Sequence, residues 1–317
     1  MSSLICGSLA YDTITAFDGR FADHILPDKV HMLNVAFLVP SMRKDFGGCA
    51  GNIAYTMRLL GGEPVVLATL GSDGVDYEQR LDGLGISRRH VRVIADSLTA
   101  QAHIITDRDD NQITSFHPGA MQFAHTQPVP RQSGLRLGII APDGRQAMLE
   151  HAEQMAQAGL PFVFDPGQGL PMFGTEELRR FVELAAWVVV NDYEGAMLAE
   201  RCGWSLQRIA GQVRGLVVTR GAQGCDVYEG ESQTRVAARP AARVVDPTGC
   251  GDAFRAALLW ALEAGWPLLD ACRLGNVLGA RKVACGGPQN HSCSLDQALQ
   301  DFRSAYGVPP PDSERAA

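Results

Sequence analysis

A glycine-rich segment in the carboxyl-terminal third of the chain could bind an anion. It comprises Asp246-Pro247-Thr248-Gly249-Cys250-Gly251-Asp252. The apolar pair Val244-Val245 precedes it and an alanine-rich stretch that ends near Gly265 follows, which predicts a strand, a glycine turn and a helix. Glycines let backbone amides point to one place, and a helix start adds partial positive charge. We therefore expect an anion hole formed by the amides of Gly249, Cys250 and Gly251.

Asp252 lies at the edge of this predicted anion hole. A carboxylate with a reference pKa of about 3.9 is ionised at neutral pH and repels phosphate, so phosphate binding is not its role. It can instead accept the proton of a hydroxyl group that attacks a phosphoryl group. The alternative is that Asp252 caps a helix and that the glycines form an ordinary tight turn.

Four motifs in the chain resemble, in the same order, the signature of the ribokinase-like (PfkB) family of carbohydrate and nucleoside kinases. Besides the segment 246–252 they are Phe46-Gly47-Gly48-Cys49-Ala50-Gly51-Asn52, Asn191-Asp192-Tyr193-Glu194 and Thr219-Arg220-Gly221-Ala222-Gln223-Gly224. An ordered set is more specific than any one short motif. The resemblance implies an ATP-dependent phosphotransferase in which Asp252 is the base and the cysteine at 250, where the family usually has alanine, contributes only its amide.

The resemblance also implies where the acceptor binds. Asp12 follows the apolar run Leu4–Cys6, at the strand end where open α/β sheets bind ligands. Gly48 opens a predicted helix, and Asn52 offers both a donor and an acceptor. In the family, matching positions hold the hydroxyl groups of a sugar. An ordinary loop aspartate and a plain loop-to-helix turn are the alternatives.

Further matches implied by the resemblance concern the nucleotide and its metal ion. The Asn-x-x-Glu motif of the family holds water and Mg²⁺ near the phosphates, which assigns Glu194 to Mg²⁺ through water; a favoured acidic residue in a helix first turn is the alternative. A loosely matching glycine loop at 284–288 leaves a K⁺ requirement open. The predicted nucleotide-binding residues are Asn191, Thr219, Gly221, Gly224 (for which a plain hairpin turn is an equal alternative) and Asn276.

The order of apolar runs predicts the fold. Short apolar runs alternate with helical segments, which predicts a parallel sheet covered by helices on both faces. The expected class is therefore a three-layer α/β/α, doubly wound protein with a small β lid, as in the ribokinase-like family. The predicted core comprises residues 1–12, 47–100 and 120–307, the lid comprises 13–46 and 101–119, and 308–317 is a disordered tail.

The lid segments bear on the choice of acceptor. The segments 34–40, predicted as an edge strand, and 113–121 are apolar and aromatic, and both look like those of bacterial adenosine kinases in this family. A purine face buries ~150 Å² on such a wall, worth about 3–4 kcal/mol, and a bare sugar gains little. We therefore expect a nucleoside, above all adenosine, with Phe116 as a contact. A sugar such as ribose is the alternative, as is a lid core formed by Val35, Phe37 and Phe116.

Composition and missing motifs exclude other functions. The net charge is −7 without a block of basic residues, which argues against a nucleic-acid surface. The only lysines are Lys29, Lys44 and Lys282, and no P-loop, protein-kinase or zinc-protease motif occurs. Eight cysteines without a C-x-x-C pair, and no signal or membrane segment, predict a cytoplasmic protein. A monomer and a homodimer both remain open, and a non-catalytic nucleoside or sugar sensor is the alternative of a different class.

Overall fold

A computed structural model describes residues 2–25, 27–32, 34–109 and 111–311 of the 317-residue chain. Its strands are β1 Ser2–Cys6, β2 Ala10–Ala16, β3 Ser41–Gly47, β4 Glu63–Gly71, β5 Val91–Ile94, β6 Ala100–Thr106, β7 Gln112–His117, β8 Leu135–Ile140, β9 Phe162–Phe164, β10 Trp187–Asn191, β11 Gly215–Thr219, β12 Cys225–Glu229 and β13 Ser232–Val236. Its α-helices are α1 Phe21–His24, α2 Cys49–Leu59, α3 Val75–Gly83, α4 Arg145–Gln157, α5 Thr175–Leu184, α6 Asp192–Cys202, α7 Leu206–Ala210, α8 Cys250–Glu263, α9 Leu268–Lys282 and α10 Leu295–Tyr306.

A large sheet forms the centre of the molecule. Its nine strands follow the order β13-β12-β11-β10-β9-β8-β1-β4-β5. All neighbouring strands are parallel except for the pairs β11–β12 and β12–β13, which are antiparallel. The chain leaves β1 toward β4 on one side and returns to β8 on the other. The sheet therefore has a topological switch point beside β1, where ligands bind in such folds.

Each face of the large sheet has its own hydrophobic core. Side chains of a strand alternate between faces, so Val189 and Val217 pack with α2, α3, α8, α9 and α10, whereas Val188 and Val190 pack with α4 to α7. The buried strands are almost wholly apolar, as in β10, because a parallel sheet with helices on both sides has no wet face. The predicted three-layer α/β/α class with a small additional sheet is confirmed.

The small sheet has four strands in the order β3-β2-β6-β7. β2 pairs antiparallel with β3 and parallel with β6, and β6 and β7 form the predicted hairpin. The chain passes directly from β1 of the large sheet into β2 of the small one, and from β3 into α2. Both connections therefore bring the small sheet to the carboxyl ends of the large sheet's strands.

Some predicted elements were misplaced. The segment 34–39 has no regular structure, and the edge strand is the polar segment β3 that follows it. Val244 and Val245 are not a strand and are 79% and 51% exposed, so an irregular segment leads into the glycine turn. β5 and α10 were not predicted: β5 has only four residues, and the apolar residues of α10 lie at helical spacing between polar ones without forming an apolar run.

Residues 308–311, which follow the end of α10, have no regular structure. The remainder of the predicted tail, 312–317, lies outside the described residues. Within the described ranges, no helix combines the length and apolar character that crossing a bilayer requires.

Candidate active site

The glycine turn presents amides at the start of α8. Gly249 has φ 78°, a conformation that side chains disfavour, and a Cβ there would lie 2.7 Å from the Cβ of Pro288. Within the described residues, the amides of Gly249 and Gly251 have no hydrogen-bond partner, whereas the Cys250 amide donates to the Pro247 carbonyl at 3.1 Å. Two of the three predicted anion-hole amides are therefore unpaired, and Cys250 is engaged in the turn.

Asp252 lies in the first turn of α8 but does not cap it. The N-cap residue is Gly249, and the Oδ2 atom of Asp252 accepts a hydrogen bond from Nδ2 of Asn52 at 2.8 Å. Burial raises the pKa of Asp252, although the bond from Asn52 and the charge of Arg255 oppose the rise. A higher pKa makes a carboxylate a better proton acceptor, so this surrounding favours the role of a base over that of a cap.

Asn52 joins Asp252 to a buried polar chain. Its Oδ1 accepts from Nε2 of Gln289 at 3.1 Å, which also approaches the hydroxyl of Tyr77 at 2.9 Å, and Tyr77 donates to the Gly47 carbonyl at 2.6 Å. Asn52, predicted to contact the acceptor, therefore has both ends of its amide engaged by protein. Gln289 and Tyr77 were not predicted, because single polar residues so far apart form no recognisable motif.

Behind Asp252 lies a buried ion pair that sequence reasoning also missed. The guanidinium of Arg255, one turn further along α8, contacts both carboxylate oxygens of Asp165 and has Glu194 at 3.8 Å. Both Arg255 and Asp165 are buried. A Cβ at position 251 would lie 2.7 Å from Nη1 of Arg255, so a larger residue there would displace the guanidinium. The arginine fixes the first turn of α8 against the ends of β9 and β10.

Asp12 and the Gly47-Gly48 pair meet where the two sheets join. Gly48 has φ 84°, and a Cβ there would lie 2.5 Å from the carbonyl oxygen of Ser8. The carboxylate of Asp12 rests on Gly47, whose added Cβ would be 2.7 Å from the Asp12 Cγ. Burial, together with the nearby carboxylates of Asp45 and Asp252, raises the pKa of Asp12 to about 6. Asp12 therefore lies near enough to Asp252 for the two carboxylates to influence each other.

A row of paired residues crosses the small sheet from Asp12. Asp45 on β3, Asp12 on β2, Ala102 on β6 and Phe116 on β7 are successive register partners, so their side chains share one face. Two strand spacings, about 10 Å, separate Asp12 from Phe116. Phe116 is 51% exposed and forms no aromatic pair with any described residue. Phe37, by contrast, packs on Phe17 and Phe21, so Phe37 belongs to an aromatic cluster of the lid and Phe116 does not.

The predicted nucleotide residues lie at neighbouring strand ends. Asn191 of β10 and Thr219 of β11 are register partners, and the Thr219 hydroxyl donates to the Val190 carbonyl at 3.4 Å. Gly221 has φ 53° and open space at its Cβ position, which leaves room for a ligand. Gly224 has φ 90°, and an added Cβ would lie 2.6 Å from the Ala238 amide nitrogen. The hairpin alone therefore requires a glycine at 224.

Asn276 lies apart from the glycine loop, on α9. It is buried, and its Nδ2 donates to the Ala237 carbonyl at 3.3 Å, which also accepts from the Tyr306 hydroxyl at 3.0 Å. The side chain therefore ties the segment after β13 to α9. Its predicted contact with adenine stays a prediction.

Glu194 is the predicted ligand of Mg²⁺ through water. It forms a capping box with Asn191: its amide donates to Asn191 Oδ1 at 2.7 Å, and its Oε2 accepts from the Asn191 amide at 2.8 Å. Its Oε1 has no partner among the described residues. Those residues hold no cluster of three or more acidic, histidine or cysteine side chains suited to direct metal binding. One free carboxylate oxygen fits outer-sphere contact, because Mg²⁺ keeps most of its waters.

Comparison with known proteins finds kinases of nucleosides and ribosides among the relatives of this chain. The chain is 47% identical to Burkholderia thailandensis nucleoside kinase, solved in complex with inosine, over 98% of this chain and 100% of that one, with a TM-score of 0.90. It is 29% identical to a nucleoside kinase of Methanocaldococcus jannaschii, covering 90% of this chain and 93% of the relative. It is 28% identical to the aminoimidazole riboside kinase of Salmonella typhimurium, covering 86% and 93%.

A family model described as pfkB family carbohydrate kinase matches residues 14–294, from β2 of the small sheet to the residue directly before α10. That range includes the acceptor motif, the capping box and the glycine turn. The predicted resemblance is confirmed: the chain belongs to the pfkB family of carbohydrate kinases and is a phosphotransferase that acts on a hydroxyl group.

Proposed function

We propose that this protein is an ATP-dependent nucleoside kinase that phosphorylates the primary, 5′ hydroxyl of its acceptor. Asp252 accepts the hydroxyl proton, and the unpaired amides of Gly249 and Gly251 stabilise charge on the transferring phosphoryl group. Asn52 orients Asp252, and Asp12 accepts hydrogen bonds from the ribose hydroxyls. Mg²⁺ bound to the ATP phosphates would neutralise part of their charge, with Glu194 holding one of its waters. The small sheet, residues 13–46 and 101–119 in the predicted division, acts as the lid.

The row from Asp12 to Phe116 carries the choice of acceptor. A ribose held by Asp12 places its base over Ala102, whose small side chain leaves room, with the Phe116 ring beyond. The relatives named nucleoside kinases, one of them solved with inosine, support the same choice. We expect adenosine among the acceptors. A free sugar would leave the apolar half of this row in water, where it contributes nothing to binding.

The test is consumption of Mg·ATP with adenosine, inosine, guanosine, cytidine and ribose. We expect kcat/KM for the best nucleoside to exceed that for ribose by about 100-fold or more, from the apolar area that a base buries. Phe116→Ala should raise KM for nucleosides and leave ribose unaffected. The control is Phe123→Ala, because Phe123 is an exposed aromatic residue outside the row, at 43% against 51% for Phe116. Preference for ribose would identify a sugar kinase, and binding without turnover of any acceptor would identify a sensor.

Acid should weaken the acceptor site before it damages the fold. The pKa of Asp12 is raised to about 6, chiefly by burial, so the group becomes protonated as the pH falls through that value. Protonation removes the charge that attracts the ribose hydroxyls. We expect KM for the nucleoside to rise below pH 6, by about tenfold per pH unit. Steady-state kinetics between pH 5 and 8 measure this, and a KM that is flat across the range would contradict the assignment.

The control for this profile is Asp12→Asn. It should have a raised KM at every pH and no further rise below pH 6. A loss of kcat at low pH that Asp12→Asn retains belongs to Asp252, whose pKa is also raised by burial.

A further inference from the structure

A buried lysine lies directly beneath the glycine turn. Lys282 is the last residue of α9 and is fully buried, and its Nζ donates to the Asp246 carbonyl at 2.8 Å and to the Cys285 carbonyl at 3.1 Å. Both acceptors are backbone oxygens. A fully buried ammonium group is costly and persists only where it is well bonded, so its position calls for an explanation.

The two carbonyls belong to the two loops that shape the anion hole. Asp246 opens the glycine turn: its Oδ1 accepts from the Thr248 amide at 2.9 Å, and its Oδ2 accepts from the Gly287 amide at 2.8 Å. The second loop, 285–288, packs against Gly249 through Pro288. The ammonium group therefore joins the end of α9 to both loops.

This arrangement does not fit a K⁺ ion at the same place. K⁺ beside the anion hole would need the backbone carbonyls of the glycine turn and of loop 284–288 as ligands. Carbonyls from both segments are already bonded to Lys282, and a second cation against the ammonium group would be repelled. One carbonyl of each segment, those of Asp246 and Cys285, is thus already bonded to a cation of the protein itself.

We infer that Lys282 takes the place of a monovalent cation in this protein. Its fixed positive charge holds the glycine turn in shape and adds to the potential that stabilises the transferring phosphoryl group. Lys282 is a positioning residue, since it touches the backbone of the turn and not the substrate. The inference rests on the proposed phosphoryl transfer but not on which acceptor is used.

The first test compares salts. Wild-type enzyme should have the same kcat in KCl and in tetramethylammonium chloride at equal ionic strength, with whichever acceptor it phosphorylates, or with ATP hydrolysis as the readout. A strong demand for K⁺ would overturn the inference. Absence of nucleoside turnover would instead contradict the proposed function, so the two failures are distinguishable.

The second test removes the charge in two ways. Lys282→Ala leaves a cavity and should lower kcat about 100-fold, as for loss of one anion-hole donor; K⁺, NH₄⁺ or methylammonium should then restore part of the activity. Lys282→Met fills the space without charge and should be equally impaired but not rescued. The control is Arg281→Met. It removes the charge of the residue just before Lys282, which pairs with Asp301, and it should keep wild-type kcat.

A purely structural lysine predicts a different pattern. It would give Ala and Met variants that lose stability without any response to small cations. Rescue of neither variant, or wild-type kcat in both, would overturn the inference. Thermal melting of each variant shows whether it is folded, and if Lys282→Ala does not fold, the salt response of the wild type decides the question.

Discussion

Replacing Asp252 with asparagine should lower kcat by roughly 10²- to 10⁴-fold, the range expected on removal of a general base. The amide keeps the size of the side chain and can still meet Asn52, which bonds Oδ2 of Asp252 at 2.8 Å, but it cannot take a proton. ATP should bind at least as tightly as to the wild type, since Asp252 carries no contact that attracts phosphate and its charge repels it. Single-turnover kinetics measure the chemical step, and nucleotide titration measures binding.

The matching control is Asp296→Asn. Asp296 also lies in the first turn of a helix, α10, so it loses the same favourable interaction with the helix dipole without touching the site. Its kcat should be that of the wild type. A loss of less than about tenfold in Asp252→Asn would mean that another group takes the proton, because a base contributes at least about 10².

Arg255→Met should cost about 3–5 kcal/mol of unfolding free energy, because it leaves the buried carboxylate of Asp165 without its partner. The deficit should be larger at pH 8 than at pH 5.5. Burial raises the pKa of Asp165 even with Arg255 present, so without the arginine the carboxyl group must be protonated to stay buried, and protonation is easier in acid. Urea denaturation at the two pH values measures this. The kcat should fall as well, because Arg255 fixes the turn that carries Asp252.

A surface pair provides the control. Arg180 contacts Glu153 through two hydrogen bonds, but the two side chains are 52% and 39% exposed. Arg180→Met should therefore cost less than about 1 kcal/mol. The double variant Asp165→Leu with Arg255→Met should recover much of the stability and none of the activity. Equal costs for Arg255→Met and Arg180→Met would show that burial of the first pair is unimportant.

Local sequence patterns predicted the parts of the fold that depend on local physics. Apolar runs such as the one that forms β10 are found because a strand buried on both faces cannot contain polar residues. β3 was missed for the opposite reason: its residues 41–44 are exposed, so no apolar pattern marks the strand, and the apolar stretch before it was taken instead. The glycine motifs were recognisable because their spacing is short.

The supporting residues of the site were not predictable in this way. Arg255 and Asp165 are 90 positions apart, and Lys282 meets Asp246 across 36. The sequence around each of these residues does not distinguish it from a surface residue. Only the packing of α8 and α9 shows that these charges are buried. At Gly224 the hairpin alone already requires glycine, so this residue carries no information about the nucleotide and its predicted contact stays a prediction.

The contact between Asp12 and Gly47 limits how this site can evolve. The carboxylate fills the space that any side chain at position 47 would need, and the two residues lie on adjacent strands, β2 and β3, near the junction of the sheets. A mutation of Gly47 to any other amino acid therefore displaces the Asp12 side chain, even though position 12 itself is unchanged. Drift at one position is harmful unless the other changes as well, so the two positions should vary together among descendants of this sequence.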